Sequence, residues 1–278
     1  MKVAIIGATS FIGENLISFL AKKKIKIIAT YNSSKIKIKK KNIVWKKLDI
    51  SKIKNNYFNY LHSPDIVINL AWPDIPNYRS KKHLKTLFYQ KRLNFNLLKK
   101  GLKNLIILGT CYEYGKVNGN ISEKKLCKPN TNYGKAKLKL LENLTKLQKN
   151  YNFRLAWLRP FFIYGENKKR KTLFSLLKEI DNGKEIKLKV CGNLVRDFLH
   201  VNFLCRIIFR LMKYNSNVGI LNVCSGKKIT VRQFIYNNLK NKDKLNYISM
   251  NGINPNSFEP DKFWGDTKKL NKIINKRK

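Results

Sequence analysis

The sequence predicts an α/β fold: a doubly wound parallel sheet with a smaller, interleaved α+β lobe. Three observations carry this. Short apolar runs alternate with amphipathic stretches up to Gly165, a glycine-bearing turn follows the first run directly, and the rhythm loosens afterwards.

Val3–Ile6 is an apolar run stopped by Gly7, and Phe11–Leu20 has helical spacing. Ile25–Thr30 and Ile43–Leu48 read as the second and third strands, the latter ending at Asp49. Asp65–Leu70 has the continuous apolar character of a strand covered on both faces. Lys81–Lys100 is a long amphipathic helix, and Leu105–Leu108, closed by Gly109, is the fifth strand. Asn132–Lys149 is a second long helix, with Phe153–Leu158 a further strand before Arg159-Pro160. Beyond Gly165, helices are expected over Thr172–Ile180, Val201–Tyr214 and Val231–Leu239, and strands at Glu185–Val190 and Ile220–Val223. A last helix begins near Asp266, after turns at Asn254-Pro255 and Glu259-Pro260.

Composition narrows the class. A hydrophobic share of 43% supports a sizeable core. No run of about 18 uncharged apolar residues occurs, so no membrane span is expected. The apolar run after Met1-Lys2 is too short for a signal peptide and lacks a cleavage site, which predicts a cytoplasmic protein. Cys111, Cys127, Cys191, Cys205 and Cys224 are scattered, with no Cys-x-x-Cys pair, so neither a disulfide framework nor a metal site is expected. The formal net charge is +43. Nucleic-acid binding would use such charge, but the lysines are spread along the chain (Lys22–Lys24, Lys39–Lys41, Lys81-Lys82, Lys268-Lys269) and no base-stacking motif accompanies them. Solvated faces enriched in lysine by A/T-rich codons explain them better, and nucleic acid is not an expected partner. The field would still steer anionic ligands.

Gly7-Ala-Thr-Ser-Phe-Ile-Gly13 joins the first strand to the first helix. Gly7 permits a tight turn, the helix N-terminus offers free N–H groups and partial positive charge to a pyrophosphate, and Gly13 lets helix and strand pack closely. Gly7, Thr9, Ser10, Phe11, Ile12 and Gly13 are therefore candidate cofactor residues in a Rossmann-type sheet. The second strand ends Ala29-Thr30-Tyr31-Asn32-Ser33-Ser34-Lys35, without the acid that usually binds the ribose 2′-hydroxyl of NAD. Asn32, Ser33 and Lys35 suit a 2′-phosphate, which favours NADP, with NAD as the alternative. Asp49 and Ile50 close the third strand, where a carboxylate can accept the adenine amino group. Leu70 and Ala71 close the fourth, where small residues line a cofactor cleft. The expected division is a dinucleotide-binding domain at 1–165, with 195–225 packing back onto it, and a substrate-binding lobe at 166–278.

Tyr133 and Lys137 open the second long helix four residues apart, so both lie on one face. A nearby ammonium favours the ionised phenol, which would bring proton exchange toward neutral pH, and the lysine could also hold a nicotinamide ribose. Such pairs arise by chance in a lysine-rich chain. What raises this one is Thr110, directly after the fifth strand at the carboxyl end of the sheet, where ligands bind. Thr110, Tyr133 and Lys137 are the candidate catalytic set, for a reaction whose electrons the cofactor carries.

With these motifs, together with Asp49-Ile50, Asn69-Leu-Ala71, Gly109-Thr-Cys-Tyr-Glu-Tyr-Gly115, Arg159-Pro-Phe-Phe-Ile-Tyr-Gly165 and Val195-Arg-Asp-Phe-Leu-His-Val201, nearly the whole chain resembles the extended short-chain dehydrogenase/reductases that modify nucleotide sugars. In that family the middle glycine of the turn stands where this chain has Ser10. The resemblance implies that Arg196 contacts a substrate diphosphate; an ion pair with Asp197 is the alternative. Family dehydratases follow the threonine with Asp-Glu, replaced here by Cys111 and Tyr112, so dehydration loses its acid and base. Glu113 comes one place too late and would point elsewhere. The family's substrate-binding asparagine is replaced by Phe162. Asn69-Leu-Ala-Trp-Pro-Asp-Ile-Pro-Asn-Tyr78 and Glu259-Pro-Asp-Lys-Phe-Trp-Gly-Asp266 are similar to a branch of nucleotide-sugar 4-ketoreductases. On that likeness Trp72, Tyr112 and Phe162 would line an apolar pocket for a 6-deoxy methyl group. The implied activity is reduction of an NDP-4-keto-6-deoxy sugar in surface polysaccharide synthesis, in a homodimer paired through the two long helices. An NDP-sugar epimerase, and a non-catalytic dinucleotide-fold protein that binds RNA or senses redox state, are the alternatives.

Overall fold

The computed structural model describes residues 1–34, 36, 38–166, 172–186, 188–250 and 258–275. Its first half alternates strand and helix: β1 (Lys2–Ile6), α1 (Phe11–Leu20), β2 (Lys26–Tyr31), β3 (Ile43–Lys47), a single turn α2 (Tyr57–Tyr60) and β4 (Ile66–Asn69). Then come α3 (Lys82–Lys99), β5 (Asn104–Leu108), β6 (Gly119–Ile121), α4 (Asn132–Leu147) and β7 (Arg154–Pro160). The second half holds β8 (Phe162–Tyr164), α5 (Leu173–Asp181), β9 (Leu188–Lys189), β10 (Val195–Arg196), β11 (Phe198–His200) and α6 (Val201–Met212). It ends with β12 (Gly219–Val223), β13 (Ile229–Thr230), α7 (Val231–Asn238), β14 (Ile248–Ser249), β15 (Lys262–Gly265) and α8 (Lys268–Asn275).

Seven strands form one parallel sheet in the order β12-β7-β5-β4-β1-β2-β3. The order reverses between β1 and β4, and a crevice opens at their carboxyl ends, as this topology requires. Side-chain alternation in β1 explains the two layers. Val3 and Ile5 enter a core shared with α1, α6 and α8, whereas Ala4 and Ile6 enter one shared with α3 and α4. Each such fully buried Ile or Leu contributes about 1.5–3 kcal/mol. α3 leaves Leu84, Phe88 and Phe95 exposed along one face. Among the described residues no helix is long and apolar enough to cross a membrane.

The central sheet, doubly wound and Rossmann-like, matches the expectation strand for strand. The second half differs in detail. The expected strand at Glu185–Val190 contracts to β9, and short pieces the sequence did not announce form a sheet β13-β10-β15-β6, with β11 on β8 and β14 on β9. β6 joins this outer sheet from the first half of the chain, and β12 returns to the central one. The two halves are therefore interleaved. The Asn254-Pro255 turn lies outside the described residues.

Candidate active site

Gly7 takes φ +81°, and Thr30 Oγ1 accepts its N–H at 3.1 Å, which fixes the turn against β2. A Cβ on Gly7 would meet the Ala71 backbone at 2.9 Å, and one on Gly13 would meet Gly7 O at 2.5 Å. Ser10 caps α1, its Oγ accepting the Gly13 N–H at 3.1 Å. Ser10 thus does the work of a helix cap, which glycine does with backbone freedom alone.

A cleft of about 410 Å³ opens above this turn. Gly7, Thr9, Ser10, Phe11, Asn32, Asp49, Ile50, Leu70 and Ala71 line it. The close backbone approach at Gly7 and Gly13 and the free N–H groups at the α1 N-terminus would suit a dinucleotide's pyrophosphate. Hydrogen bonds from the Ser51 hydroxyl (2.7 Å) and N–H (2.9 Å) hold the Asp49 carboxyl below its ordinary range. Ile12 is not among the residues that line the cleft; its side chain packs, half-buried, against the core. Lys35 lies outside the described residues.

A second cleft of about 580 Å³ is bounded by Thr110, Tyr112, Tyr133, Phe162, Arg196 and Glu259. Trp72, expected here, instead borders the first cleft, because its indole N–H turns to His83 Nδ1 at 3.1 Å. Tyr78, Tyr112 and Phe258 form an aromatic wall with ring centroids 4.7 to 5.9 Å apart. Arg196 does not pair with Asp197. Its Nη2 donates to Glu259 Oε2 at 2.8 Å and its Nη1 to the carbonyls of Val195 and Asp261, while its guanidinium lies 5.0 Å from the Phe162 ring. Asp197 is instead spent on the N–H groups of Ser225, Gly226 and Gly265 and the Ser225 hydroxyl. The other Glu259 oxygen accepts the Tyr112 hydroxyl at 2.5 Å.

Thr110 and Tyr133 line the second cleft, and the buried Lys137 stands behind them, between Tyr133 and the Trp72 that borders the first. Thr131 Oγ1 caps α4 by accepting the Gly134 N–H, and the Tyr133 N–H donates to the Tyr78 carbonyl. This sets the first turn of α4 against the end of β5, and brings Tyr133 and Thr110 to the wall of the same cleft. The electrostatics depart from the expectation. Burial, then the neighbouring Tyr78 and Glu113, push the Tyr133 phenol upward. Lys137 does not offset this, because its Nζ donates to the Leu108 carbonyl at 2.6 Å and sits 3.8 Å from the Trp72 ring centroid, against 5.8 Å from that of Tyr133. The phenol is held protonated, a state suited to giving a proton to an oxygen placed beside Thr110.

Residues 3–224 match the profile of the NAD dependent epimerase/dehydratase family. The chain belongs to that family. The dTDP-6-deoxy-L-talose 4-dehydrogenase (NAD(+)) of Aggregatibacter actinomycetemcomitans is 26% identical to it over 276 residues, 95% of this chain and 99% of that protein. Among solved structures, a UDP-N-acetylglucosamine 4-epimerase from Methanobrevibacter ruminantium M1 matches with TM-score 0.85 at 19% identity, over 100% of this chain and 93% of that one. A UDP-glucuronic acid 4-epimerase from Bacillus cereus matches with TM-score 0.82 at 19% identity, over 100% and 94%. At those identities the structural likeness speaks to the fold. This epimerase/dehydratase-family chain is accordingly an enzyme of the extended short-chain dehydrogenase/reductase type, an NAD-dependent family.

Tyr78 and Glu259 stand within sequence motifs quoted above, but only the folded chain reveals that they share the second cleft. Lys137 offers a check on the site's electrostatics. Burial pulls its amine down to about 7. The cost of burying its charge is therefore complete below pH 7 and fades as pH rises toward the unfolded lysine value of about 10.4. Lys137→Met should raise Tm by about 3 °C or more at pH 6. Thermal scans should show that gain shrinking steadily up to pH 9; a constant offset would contradict a neutral buried amine.

Proposed function

We propose that this enzyme reduces the 4-keto group of a nucleotide-diphosphate 4-keto-6-deoxy sugar, using NAD, in a step feeding surface polysaccharide synthesis. The carrying observation is that Thr110 and Tyr133 share the wall of a cleft lined by aromatic rings, while Trp72, which packs on Tyr133, borders the neighbouring cleft whose glycine turn suits a dinucleotide. The nicotinamide, when bound, supplies the hydride. Thr110 orients the keto oxygen, Tyr133 gives it a proton, and Lys137 holds the ribose of the nicotinamide. Tyr112 and Phe162 offer apolar surface to a C6 methyl, and the relative from Aggregatibacter, named for a 6-deoxy sugar, supports this reading. Arg196 would reach a diphosphate by exchanging the Glu259 carboxylate for a phosphate.

The bare end of β2 favoured NADP, but the relative's name carries NAD(+), and neutral Asn32 is equally able to hydrogen-bond a 2′-hydroxyl. We assign NAD. Reduced-coenzyme loss against a panel of nucleotide-activated 4-keto-6-deoxy sugars is the test, run with NADH and NADPH. Turnover with NADH at the lower KM is expected; no turnover with any member would sink the assignment. Epimerisation is the second reading, favoured by the family matched. NAD that co-purifies and is regenerated each cycle, with no net coenzyme loss, would put it first.

A further inference from the structure

The turn after β5 carries an acid that the proposed reaction does not use. Glu113 is 0% exposed, and its carboxylate is surrounded by donors. Oε1 accepts the Thr110 backbone N–H at 2.8 Å, and Oε2 accepts Arg159 Nε–H at 2.7 Å. Trp157 Nε1 donates to both oxygens, at 3.0 and 3.1 Å. The Arg159 guanidinium lies 4.5 Å from the Tyr114 ring centroid, and the Tyr114 hydroxyl donates to Asn222 Oδ1 at 2.7 Å. Contacts thus run from the turn through β7 to β12. Gly109 leaves the carboxylate its space: a Cβ there would lie 2.5 Å from Glu113 Oε1 and 2.2 Å from Trp157 Nε1.

A buried charge pair is a poor source of stability, because desolvation offsets most of its attraction. Burial indeed pushes the Glu113 carboxyl up, with Arg159 pulling it back only in part. Two apolar side chains could fill the same volume without that cost. They could not accept the Thr110 N–H. Thr110 caps the turn Cys111–Tyr114 with extended backbone, its Oγ1 accepting the Tyr112 N–H at 3.3 Å, and it lines the second cleft with Tyr133. Fixing the Thr110 peptide therefore fixes where its hydroxyl points.

We infer that Glu113 is a positioning residue: clamped by Arg159 and Trp157, it holds the Thr110 peptide so that the Thr110 hydroxyl keeps its place beside Tyr133 on the wall of the second cleft. The inference rests on the Thr110–Tyr133 reading and adds a residue that touches neither substrate nor coenzyme.

The test is a cycle of variants on the folded enzyme, assayed with the nucleotide sugar the panel selects. Glu113→Leu/Arg159→Leu removes both charges and keeps the volume filled, and Tm confirms folding. Its kcat should fall about 100-fold, the usual cost of misplacing a reacting group by about 1 Å, with KM changed less than about threefold. Thr110→Ala, expected to cost about 100-fold in the parent, should cost less than about threefold more in this background, since the two effects act through one hydroxyl. A folded double variant with parental kcat, or full additivity with Thr110→Ala, overturns the inference. Glu113→Gln is a second arm, because its amide oxygen still accepts the Thr110 N–H. It should lower Tm yet keep kcat within about fivefold, and a loss as large as the double variant's also overturns the inference. Undiminished kcat in parental Thr110→Ala would instead sink the Thr110–Tyr133 reading itself.

Discussion

Tyr133→Phe is expected to cut kcat by about a thousandfold while leaving coenzyme affinity within about twofold, because a positioned proton donor supplies about 10²–10⁴ in rate. The substitution removes one oxygen and little else. Tyr133 is 7% exposed, and its ring packs 5.2 Å from His83, 5.6 Å from Tyr78 and 5.9 Å from Trp72. Those contacts survive in phenylalanine, so the fold and the neighbouring cleft should be preserved. What goes is the hydroxyl that shares the cleft wall with Thr110, and with it the proton for the carbonyl oxygen. Single-turnover kinetics with coenzyme titrated separately would divide the two effects. Parental turnover by the phenylalanine variant would refute the mechanism outright.

Gly13→Val should abolish coenzyme binding by a different route. Its first added carbon would stand 2.5 Å from Gly7 O and 2.7 Å from the Ala8 carbonyl carbon and oxygen. All three are backbone atoms, so no side chain can swing away, and α1 must lift off β1. That overpacking costs about 1–3 kcal/mol, and about 2–4 °C of Tm for each kcal/mol is expected in a chain of this size. The helix N-terminus moves with it, away from the place a pyrophosphate would take, so affinity should fall by about 100-fold or more. Calorimetric titration with NADH would measure it. Undisturbed binding by this variant would mean that the close approach has no part in holding the dinucleotide.

The central sheet was legible because strands buried on both faces are continuous apolar runs, and Gly7 and Gly109 punctuate them. The outer strands β9, β10, β13 and β14 were not. Each has two residues, and its partners, such as Val195 with Thr230 and Lys262, lie far along the chain. Spacing put Tyr133 and Lys137 on one helical face, but their mutual influence depended on where the amine goes, and the Leu108 carbonyl claims it. Trp72 illustrates the same limit: a residue just past a strand end can face either cleft, and the partner that decides, His83, belongs to α3. At the level of sequence, Glu113 stands one place past the position a dehydratase acid would take. Its actual surroundings came from β7, through a tryptophan and an arginine that the motif Arg159-Pro160 does not reveal as its partners.

β12 closes the outer edge of the sheet beside β7, although nearly 60 residues of other structure separate it from that neighbour. A ribosome extruding this chain has therefore released every strand around the nucleotide crevice long before it delivers the last one. Until Val223 emerges, Trp157 and Leu158 have an unpaired neighbour edge of buried-type apolar backbone, open to any other nascent strand. Truncations that stop after β7 should meet the same hazard permanently.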